Sequence, residues 1–572
     1  MFIKNWIIKQ TPDISVIEHI AEVLSVDKIL SLLLAQRGIY DFDSAKAFFR
    51  PSYENLHSPF LMKDMQRAID RIAYAMHNRE KILIYGDYDV DGTTAVAMVY
   101  SFFKKIYPHV DYYIPDRYIE GYGVSFKGID TAVAGNYKLI ISLDCGTKAV
   151  EKIRYAVSKG IDFIVCDHHY PGVDLPPAFA MLNPKRANCS YPYKELSGCG
   201  VGFKMLQAFA HKNNIPTEEV YQYIDLVAVS IASDIVPIDG ENRVLTALGI
   251  KKLNENPGLG LKSIVKISGL EGNQHHVDDI VFKIGPRINA AGRMKSGKYA
   301  VELLISDEER NARNAGVEID RFNNDRKNID SEITCQALRM LANDPEQEYR
   351  KTTVLFDPSW HKGVVGIVAS RLIETYYRPT IILTESEGMA TGSARSVEGF
   401  DLYKAIDACS ELLENFGGHM YAAGLSMKKE NVEKFSRKFE DVVAQTITDE
   451  QLSPNIMIDT EINFSDIYPK FMRILKQFQP FGPKNMSPVF LTRSVVDVGS
   501  GKTCGKFGEH LKLDLRQTNN PDIVFPAIGF NLGELYPIIR TGISFDVCYT
   551  IEENTFRGET KIQLQLKGIK IE

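Results

Sequence analysis

Short apolar runs alternate with amphipathic segments from residue 81 onward. The runs KILIY, VDYYIP, KLIISLD and IDFIVCD are separated by stretches such as TTAVAMVYSFFKKIY and AVEKIRYAVSKG, in which apolar residues recur at helical spacing. Strands that are apolar throughout and separated by helices are typical of a parallel sheet covered on both faces. The pattern therefore predicts an α/β domain with a parallel sheet over residues 76–305.

The pattern changes on both sides of this domain. Residues 1–75 read as an N-terminal helical segment, and the polar stretch 306–345 predicts a long solvated connecting helix at a domain boundary. TTVLFD and TIILTE, with the helical run GIVASRLIETYY, predict a second α/β domain over residues 346–450. Residues 451–572 read almost entirely as short strands, such as HLKLDL and IVFPAIGF, and predict a small OB-like β-barrel.

Composition narrows the classes of protein that fit. A net charge of -6 excludes a protein that coats nucleic acid with its whole surface, although a local basic groove remains compatible. No signal peptide and no apolar run long enough to span a bilayer are visible, which predicts a cytoplasmic protein without membrane association. The 8 cysteines form no C-x-x-C pair, so we expect neither a zinc ribbon nor a disulfide framework.

Acidic residues and histidines stand where the predicted strands end. Ligands of a parallel sheet bind beyond the carboxyl ends of its strands, so these positions are the ones to examine. GDYDVDG follows the first strand, an aspartate closes KLIISL, DHH follows IDFIVC, and an aspartate ends the helical run TEEVYQYIDLVAVSIAS. The candidate site residues are Asp87, Asp89, Asp91, Asp144, Asp167, His168, His169 and Asp234.

Carboxylates gathered in one pocket repel one another, and binding of multivalent cations relieves the repulsion. Carboxylate oxygens mixed with imidazole suit Mn²⁺ or Mg²⁺, and Mn²⁺ is the better match for histidine. Two such ions activate water and stabilise both the entering and the leaving oxygen of a phosphoester. The sequence therefore predicts a two-metal site that performs phosphoryl chemistry.

Simpler interpretations exist for each motif taken alone. D-x-D-x-D-G is often a calcium loop, but the twelfth position of that loop should be Glu and is Met98 here. The DHH histidines taken alone are also compatible with capping or core positions, and we expect His275 and His276 in GNQHHVDD to be solvated. GSGKT at 499–503 is similar to a phosphate-binding loop, but a strand pattern follows it, so we expect a hairpin turn.

Together, these motifs resemble those of the DHH phosphoesterase superfamily, and in particular its single-strand-specific DNA exonucleases. The resemblance includes DYDVDG, LDCGT, DHH and ASDIVPIDGENR, followed by EGYG, GPRINAAGR, HKGVVGIVASR, GSARS and GGHMYAAG. It runs over essentially the whole chain from about residue 40.

This resemblance implies hydrolysis of single-stranded DNA from 5′ to 3′ with release of 5′-mononucleotides, in DNA repair and recombination. It implies two Mn²⁺ or Mg²⁺ ions, with an activated water rather than a serine or cysteine as the nucleophile. Single-stranded DNA is the implied partner, together with a single-strand-binding protein and a helicase. The metal ligands that the resemblance implies are Asp89, Asp91, Asp144, His168 and Asp234, with Asp87 and His169 beside or among them. Asp167 is expected to orient a histidine.

The resemblance also implies residues that contact DNA. In the second α/β domain, the small residues of GSARS let backbone N–H groups approach a phosphate, and the Arg395 guanidinium can hold it through two N–H groups. Ser393 and His419 are assigned to the same role, across a groove from the metal site. Arg117 and Arg287 are further phosphate candidates, and Tyr122 is placed to stack on a base.

The chain departs from the family in one loop. Related proteins read PFGxGN where this chain reads PFGPKN, with Lys484 replacing the second glycine. We expect the loop to join the second α/β domain to the barrel, so that the change affects loop geometry more than catalysis.

Two other functions are also compatible with the DHH motifs. One is a DHH phosphodiesterase or pyrophosphatase for small substrates, which would not need the barrel. The other is a replication scaffold that keeps the fold after losing its metals, which the intact acids argue against.

Overall fold

The computed structural model describes residues 4–347, 349–556 and 559–571. The chain divides into two compact units, which we call the first and the second unit. The first contains residues 1–42, 328–477 and 487–572, and the second contains residues 43–327 and 478–486. Each unit is therefore built from segments that are distant along the chain.

The sequence predicted a purely helical N-terminal region, but the structure also contains a strand there. It contains the helices α1 (Ile14–Leu24), α2 (Lys28–Ala35), α3 (Phe42–Phe49) and α4 (Met65–His77), preceded by a strand, β1 (Asn5–Ile8). The strand pairs in parallel with Asn455–Ile458, within the first unit. NWII is too short to show strand periodicity, and a partner 450 residues away leaves no local signal.

A five-stranded parallel sheet forms the centre of the second unit, as predicted. Its elements are β2 (Lys81–Gly86), α5 (Val90–Ile106), β3 (Val110–Tyr113), α6 (Phe126–Ala134), β4 (Tyr137–Leu143), α7 (Val150–Ser158), β5 (Asp162–Cys166) and β6 (Ala180–Leu182). The strand order is β3-β2-β4-β5-β6. Side chains alternate between two apolar cores, with Ile82 and Ile84 in one and Leu83 and Tyr85 in the other. Both faces are therefore covered.

Helices complete the second unit. They are α8 (Gly198–Lys212), α9 (Glu218–Tyr221), α10 (Ile224–Ser233), α11 (Gly240–Glu255), α12 (Leu259–Ile267), α13 (Val277–Asp279), α14 (Gly285–Met294) and α15 (Lys298–Leu304), with a π-helical turn at Ile280–Ile284. Helices α5, α8 and α10 pack on one another against the sheet. This packing brings the ends of α8 and α10 to the loops that follow the strands.

The long polar helix exists but is not simply solvated. It is α16 (Glu309–Ala342), and the division between the units falls inside it. A stripe of buried residues runs along one face, comprising Ala312, Ile319, Phe322, Asn323, Arg326, Asp330, Ile333, Ala337 and Leu341. The polar residues within this stripe obscure the helical spacing of its apolar residues. The sequence therefore predicted a solvated helix.

The first unit contains the second predicted α/β region. Its elements are β7 (Thr353–Phe356), α17 (Val365–Thr375), β8 (Thr380–Ser386), β9 (Met389–Arg395), α18 (Leu402–Asp407), β10 (Asn415–His419), β11 (Ala422–Lys428) and α19 (Val432–Thr446). The strand order is β10-β11-β9-β8-β7, and only β7 and β8 pair in parallel. The sheet is therefore mixed.

The C-terminal strands close into a barrel, which confirms the predicted architecture. The elements are β12 (Asn455–Ile458), β13 (Thr460–Glu461), α20 (Pro469–Lys476), β14 (Phe490–Asp497), β15 (Lys502–Cys504), β16 (His510–Gln517), β17 (Asn520–Gly529), α21 (Tyr536–Ile539), β18 (Phe545–Phe556) and β19 (Glu559–Lys570). Pairing runs β14-β18-β19-β17-β16 and returns from β16 to β14. The expectation of a hairpin turn at GSGKT is wrong. Residues 499–501 lie in a turn after β14, where Asp497 accepts the N–H groups of Gly499 and Gly501. Lys502 and Thr503 begin β15, whose partner is β16 rather than β14 because closure of the barrel sets the pairing.

The structure also bears on the cysteines and on helices that could span a membrane. All 8 cysteines are free thiols. Among the described residues, no helix has both the length and the apolarity needed to cross a bilayer.

The sequence predicted that the PFGPKN loop joins the second α/β domain to the barrel, and this prediction is wrong. It stands between α20 and β14, inside the C-terminal region, and its residues 478–486 pack with the second unit. The guanidinium of Arg243 donates to the carbonyls of Phe478, Gln479 and Pro480 at 2.9–3.3 Å. Asn485 donates to two of the same carbonyls. The loop is thus part of the frame of the second unit.

Lys484 occupies a position that favours glycine. The backbone N–H groups of Gly482 and Asn485 donate to each other's carbonyls, which encloses Pro483 and Lys484 in a tight turn. Lys484 has a φ of 66°. A turn with proline at its second position and a positive φ at its third is of type II, in which glycine is preferred at the third position. This requirement accounts for the glycine of related proteins.

We expect Lys484→Gly to raise the free energy of unfolding by about 0.5–1 kcal/mol. Left-handed backbone costs a residue with a Cβ roughly 1–2 kcal/mol, and the greater freedom of glycine in the unfolded chain offsets part of this gain. Lys484→Ala is the matched control, because it removes the side chain but keeps the Cβ. Urea unfolding of the three proteins makes the comparison, and equal stability of the Gly and Ala variants would contradict the strain argument.

Candidate metal centre

Four segments of the second unit carry the predicted metal ligands to one edge of the parallel sheet. Asp87 and Asp89 follow β2, Asp144 follows β4, and His168 follows β5. Strands β2, β4 and β5 are neighbours in the sheet, so their carboxyl ends meet. Asp234 stands at the carboxyl end of α10.

The His168 ring lies at the centre of the cluster. Its Nε2 is 3.2 Å from Asp144 Oδ1, 3.5 Å from Asp234 Oδ2 and 3.7 Å from Asp91 Oδ2. Two groups of side chains have ligand atoms within 4.8 Å of one another, namely Asp144 with both histidines, and Asp91 with His168 and Asp234. The two groups share His168, so they form one continuous cluster of potential ligands.

Several buried atoms of the cluster lack a hydrogen-bond partner among the described residues. They are Asp87 Oδ2, Asp144 Oδ1, and both ring nitrogens of His168. A buried polar atom without a partner costs about 1–3 kcal/mol. Carboxylate oxygens and an imidazole nitrogen are ligands that Mn²⁺ accepts, so cation binding would satisfy these atoms. The residues present therefore fit the predicted divalent ions.

The electrostatics of the cluster also favour cations. Burial raises the pKa of Asp144 well above its usual value, and the neighbouring charges of Asp91 and Asp89 raise it further. Burial and neighbouring carboxylates likewise raise the pKa of Asp87 and Asp234. A bound divalent cation would reverse these shifts, since it favours the charged carboxylate.

Asp91 is held by donors from the protein itself. The backbone N–H groups of Gly198 and Cys199, in the first turn of α8, donate to its two carboxylate oxygens at 2.6 and 2.7 Å. The hydroxyl of Ser230 donates to Oδ1 at 2.7 Å. A helix N-terminus favours negative charge, so α8 and Ser230 together hold this carboxylate in place.

The sequence analysis did not identify Gly198 as part of the site. A Cβ at this position would lie 2.5 Å from the Cβ of Asp144, so only glycine lets α8 approach the cluster this closely. The signal available in the sequence was SGCGVG, in which a serine cap precedes small residues at a helix start.

Asp167 points its carboxylate at its own loop. Its Oδ1 accepts hydrogen bonds from the backbone N–H groups of both histidines and lies 2.7 Å from His169 Nδ1. Its Oδ2 accepts the N–H of Thr147. Burial alone would raise the pKa of Asp167, but these hydrogen bonds and the two histidines lower it below its usual range. The contacts agree with an orienting role.

His169 lies at the rim of the cluster. Burial lowers the pKa of His169, but the hydrogen bond and charge of Asp167 outweigh this effect and raise it to about 9. Its Nε2 is 3.3 Å from the hydroxyl of Tyr122, which also donates to the carbonyl of Asp144. Tyr122 therefore contacts the site directly, although its exposed ring also remains available to a ligand.

Arg117 reaches the same edge of the sheet. Its guanidinium lies 5.0 Å from the ring centroid of Tyr88, the residue between Asp87 and Asp89. Its charge lowers the pKa of both aspartates, against the larger opposing effect of burial. This position suits a cation that binds a phosphate beside the metals.

Arg287 is engaged within the protein. Its Nε donates to Asp320 at 2.9 Å, and its Nη1 donates to the carbonyl of Lys283. These contacts give Arg287 a structural role, which is an alternative to its predicted contact with DNA.

The predicted phosphate contacts of the first unit also lie together. Arg395 Nη1 donates to the hydroxyl of Ser393 at 2.7 Å. A Cβ on Gly366, in the first turn of α17, would lie 3.0 Å from both side chains. Arg395 and His419 are each in register with Ala422 on the strand between them, so their side chains share a face of the sheet.

The expectation that the second histidine pair is solvated is wrong for one of its members. His275 is buried, and its N–H donates to the side chain of Asn254, while His276 caps α13. The polar flanks of GNQHHVDD suggested solvent, but tertiary packing covers His275.

Three families of known domains match successive parts of the chain. Residues 81–231 match the DHH family, N-terminal domain, residues 346–445 match the DHHA1 domain, and residues 458–568 match the RecJ OB domain.

Similar proteins and solved structures cover most of the chain. The single-stranded-DNA-specific exonuclease RecJ of Bacillus subtilis is 35% identical over 98% of this chain and 70% of its own length. The protein of the same name from Haemophilus influenzae is 31% identical over 90% of this chain and 92% of its own length. The crystal structure of RecJ in complex with Mn²⁺ from Thermus thermophilus matches with a TM-score of 0.85 at 25% identity, over 99% of this chain and 80% of that one. On this evidence the chain belongs to the RecJ family of DHH phosphoesterases.

Proposed function

We propose that this protein is a metal-dependent exonuclease that hydrolyses single-stranded DNA from the 5′ end and releases 5′-mononucleotides. The observation that carries the proposal is the position of His168 Nε2, within 3.7 Å of oxygens from three aspartates that come from three other segments. Two relatives that share most of the chain are named as single-stranded-DNA-specific exonucleases.

The ligand set proposed for the two ions comprises Asp87, Asp89, Asp91, Asp144, His168 and Asp234. All of these residues belong to the proposed catalytic domain, residues 76–305. Two divalent cations bound there would lower the pKa of water and offset the charge that develops on the scissile phosphate. Mn²⁺ or Mg²⁺ suits the ligands, and Mn²⁺ suits His168 better.

The side chains around the ligands have separate tasks. Helix α8 fixes Asp91 through two backbone N–H groups, so its oxygens need little rearrangement when an ion binds. Asp167 holds His169 through the contact between its Oδ1 and His169 Nδ1. The other ring nitrogen of His169 lies near the hydroxyl of Tyr122 at the rim, where a phosphate oxygen could contact it.

We assign substrate binding to positively charged side chains and to one aromatic ring at the rim of the cluster. We propose that Arg117 holds a phosphate and that Tyr122 stacks on a base. Ser393, Arg395 and His419 would hold further phosphates in the first unit, and Arg287 is kept as a candidate. Contacts of this kind are independent of sequence, so sequence preference should be weak.

The biological setting is a further part of the proposal. An exonuclease that acts on single strands depends on strand separation, so a helicase and a single-strand-binding protein are the expected partners. Repair and recombination, in the cytoplasm, are the expected context.

Labelled single-stranded oligomers test the direction and the substrate. With Mn²⁺, we expect a 5′ label to appear at once as a mononucleotide, while a 3′ label stays on a shortening strand. EDTA should abolish both signals, and a duplex with blunt ends should be degraded more slowly than the single strand. A 5′-phosphorylated dinucleotide serves as the control for a small-substrate enzyme.

The alternatives give different outcomes in this assay. Faster hydrolysis of the dinucleotide than of the oligomer would favour the small-substrate phosphodiesterase. Absence of metal-dependent hydrolysis of any substrate would favour the scaffold.

Asp144→Asn should separate activity from stability. We expect at least a 10³-fold loss of nuclease activity, equivalent to roughly 4 kcal/mol. The metal-free variant should be at least as stable as the parent, because the substitution removes one of several repelling carboxylates. Mn²⁺ at about 100 times its Kd should stabilise the parent by about 2.7 kcal/mol per site, and should stabilise the variant less.

Thermal unfolding with and without Mn²⁺, beside the nuclease assay, measures these effects. Asp130→Asn is the matched control, since Asp130 is an exposed carboxylate on α6 of the same unit. Full activity of Asp144→Asn in purified protein would rule out the proposed metal mechanism.

Arg117→Ala and Arg287→Ala should behave differently. Loss of one phosphate contact at Arg117 should make the log–log dependence of DNA affinity on salt shallower by about 0.7, without a change in Mn²⁺ binding. Arg287→Ala should instead lower the free energy of unfolding by about 1 kcal/mol, because its hydrogen bonds to Asp320 and to the carbonyl of Lys283 are lost while Asn324 still donates to Asp320.

Fluorescence anisotropy with a single-stranded oligomer, in Ca²⁺ to prevent hydrolysis, gives the salt dependence of both variants. An unchanged slope for Arg117→Ala would exclude its phosphate contact. A shallower slope for Arg287→Ala would establish that Arg287 also contacts DNA.

A further inference from the structure

A buried asparagine stands beside the metal centre without being one of its predicted ligands. Asn183 follows β6, the edge strand of the parallel sheet, and is completely buried. The backbone N–H of Asp167 donates to the carbonyl of Leu182, which immediately precedes Asn183. The asparagine is therefore placed next to the DHH loop by the sheet itself.

The Asn183 amide joins two loops that carry metal ligands. Its Nδ2 donates to the hydroxyl of Thr147 at 3.0 Å and to the carbonyl of His169 at 2.8 Å. Thr147 lies in the loop that begins with Asp144, and His169 ends the loop that carries His168. One NH₂ group thus bridges the ends of β4 and β5.

The same side chain also fixes its own loop. Its Oδ1 accepts the backbone N–H of Lys185 at 2.8 Å. Both protons of the amide nitrogen and the amide oxygen are therefore in use, and all three partners belong to loops at this edge of the sheet. This leaves the amide little freedom to rotate.

Only an amide of this size fits these partners. Aspartate would direct an oxygen at the carbonyl of His169, where a donor is required, and would add a negative charge beside an already acidic cluster. Leucine has a similar shape but would leave the His169 carbonyl and the Lys185 N–H buried without partners.

The His168 ring depends on this support. Its two nitrogens have no hydrogen-bond partner among the described residues, so no hydrogen bond fixes the ring directly. Its position follows from the backbone of its loop, which Asp167 holds at the start and Asn183 holds at the carbonyl of His169.

We propose that Asn183 is a positioning residue of the metal centre, which holds the His168 loop and the Asp144 loop at the spacing that a shared ion requires. The proposal rests on the proposed function, because it assumes that these residues bind the ions. Groups that orient metal ligands typically change metal affinity by about 10- to 100-fold when they are replaced.

The test measures Mn²⁺ binding to the full-length, metal-free protein, by calorimetry and by the electron paramagnetic resonance signal of free Mn²⁺. Asn183→Asp and Asn183→Leu should each weaken binding by about 10- to 100-fold. Raising the Mn²⁺ concentration should restore nuclease activity, while the KM for DNA at saturating Mn²⁺ stays unchanged. A purely structural role would not give this rescue by metal.

Asn485→Leu is the matched control. Asn485 is equally buried, and its Nδ2 also donates to two oxygens, but it lies in the PFGPKN loop. The control should lose stability and keep the Mn²⁺ affinity of the parent. Thr147→Val is a milder second variant, which removes one of the partners and should weaken Mn²⁺ binding by about threefold to tenfold. It serves if the Asn183 variants do not fold.

The possible results are distinct. Folded Asn183 variants with the Mn²⁺ affinity of the parent would overturn the positioning role, as would equal losses in Asn485→Leu. If the Asn183 variants do not fold, an unchanged affinity in Thr147→Val would overturn it. Failure of the parent protein itself to bind Mn²⁺ would overturn the proposed function instead.

Discussion

The structure of the metal centre depends on the repulsion between carboxylates that are buried side by side. Burial removes the water that would screen them, and each neighbouring charge makes ionisation of the next one harder. The protein supplies donors to some of them, with α8 bonded to Asp91 and Thr147 bonded to Asp167. It leaves Asp144 and Asp87 with unpartnered oxygens. Divalent cations complete what the protein leaves open.

The parallel sheet makes this arrangement possible. Every strand of such a sheet ends at the same edge, so loops distant in sequence can contribute to one site. Helices that follow the last strand of the sheet contribute as well, since α8 starts and α10 ends at this edge. The ligands are thereby fixed by regular elements, and only short loops separate them from those elements.

The sequence predicted those parts of the site that rest on local patterns. Apolar strands followed by acids located Asp144 and His168 correctly at one edge, because strand direction and ligand position are both local consequences of the sequence. Gly198 and Asn183 were missed, since their importance comes from close approach and from bonds between segments.

The fold shows the same limit. The parallel sheet and the barrel followed from periodicity, whereas β1 required knowledge of a partner strand near the other end of the chain. Asn323 and Asp330 disguised the buried face of α16, because polar residues in a core are recognisable only from their surroundings. The burial of His275 was not predicted because the polar residues around it in the sequence give no sign that its motif packs against Asn254.

The second unit is complete only after residues 478–486 have been synthesised, because this late segment packs with residues 43–327. Arg243 is translated more than two hundred residues before the three carbonyls that it binds at Phe478, Gln479 and Pro480. A nascent or prematurely terminated chain that stops short of this segment would contain every proposed metal ligand, yet its Arg243 guanidinium would lack those acceptors. The frame around the ligands is therefore finished only when most of the polypeptide has left the ribosome.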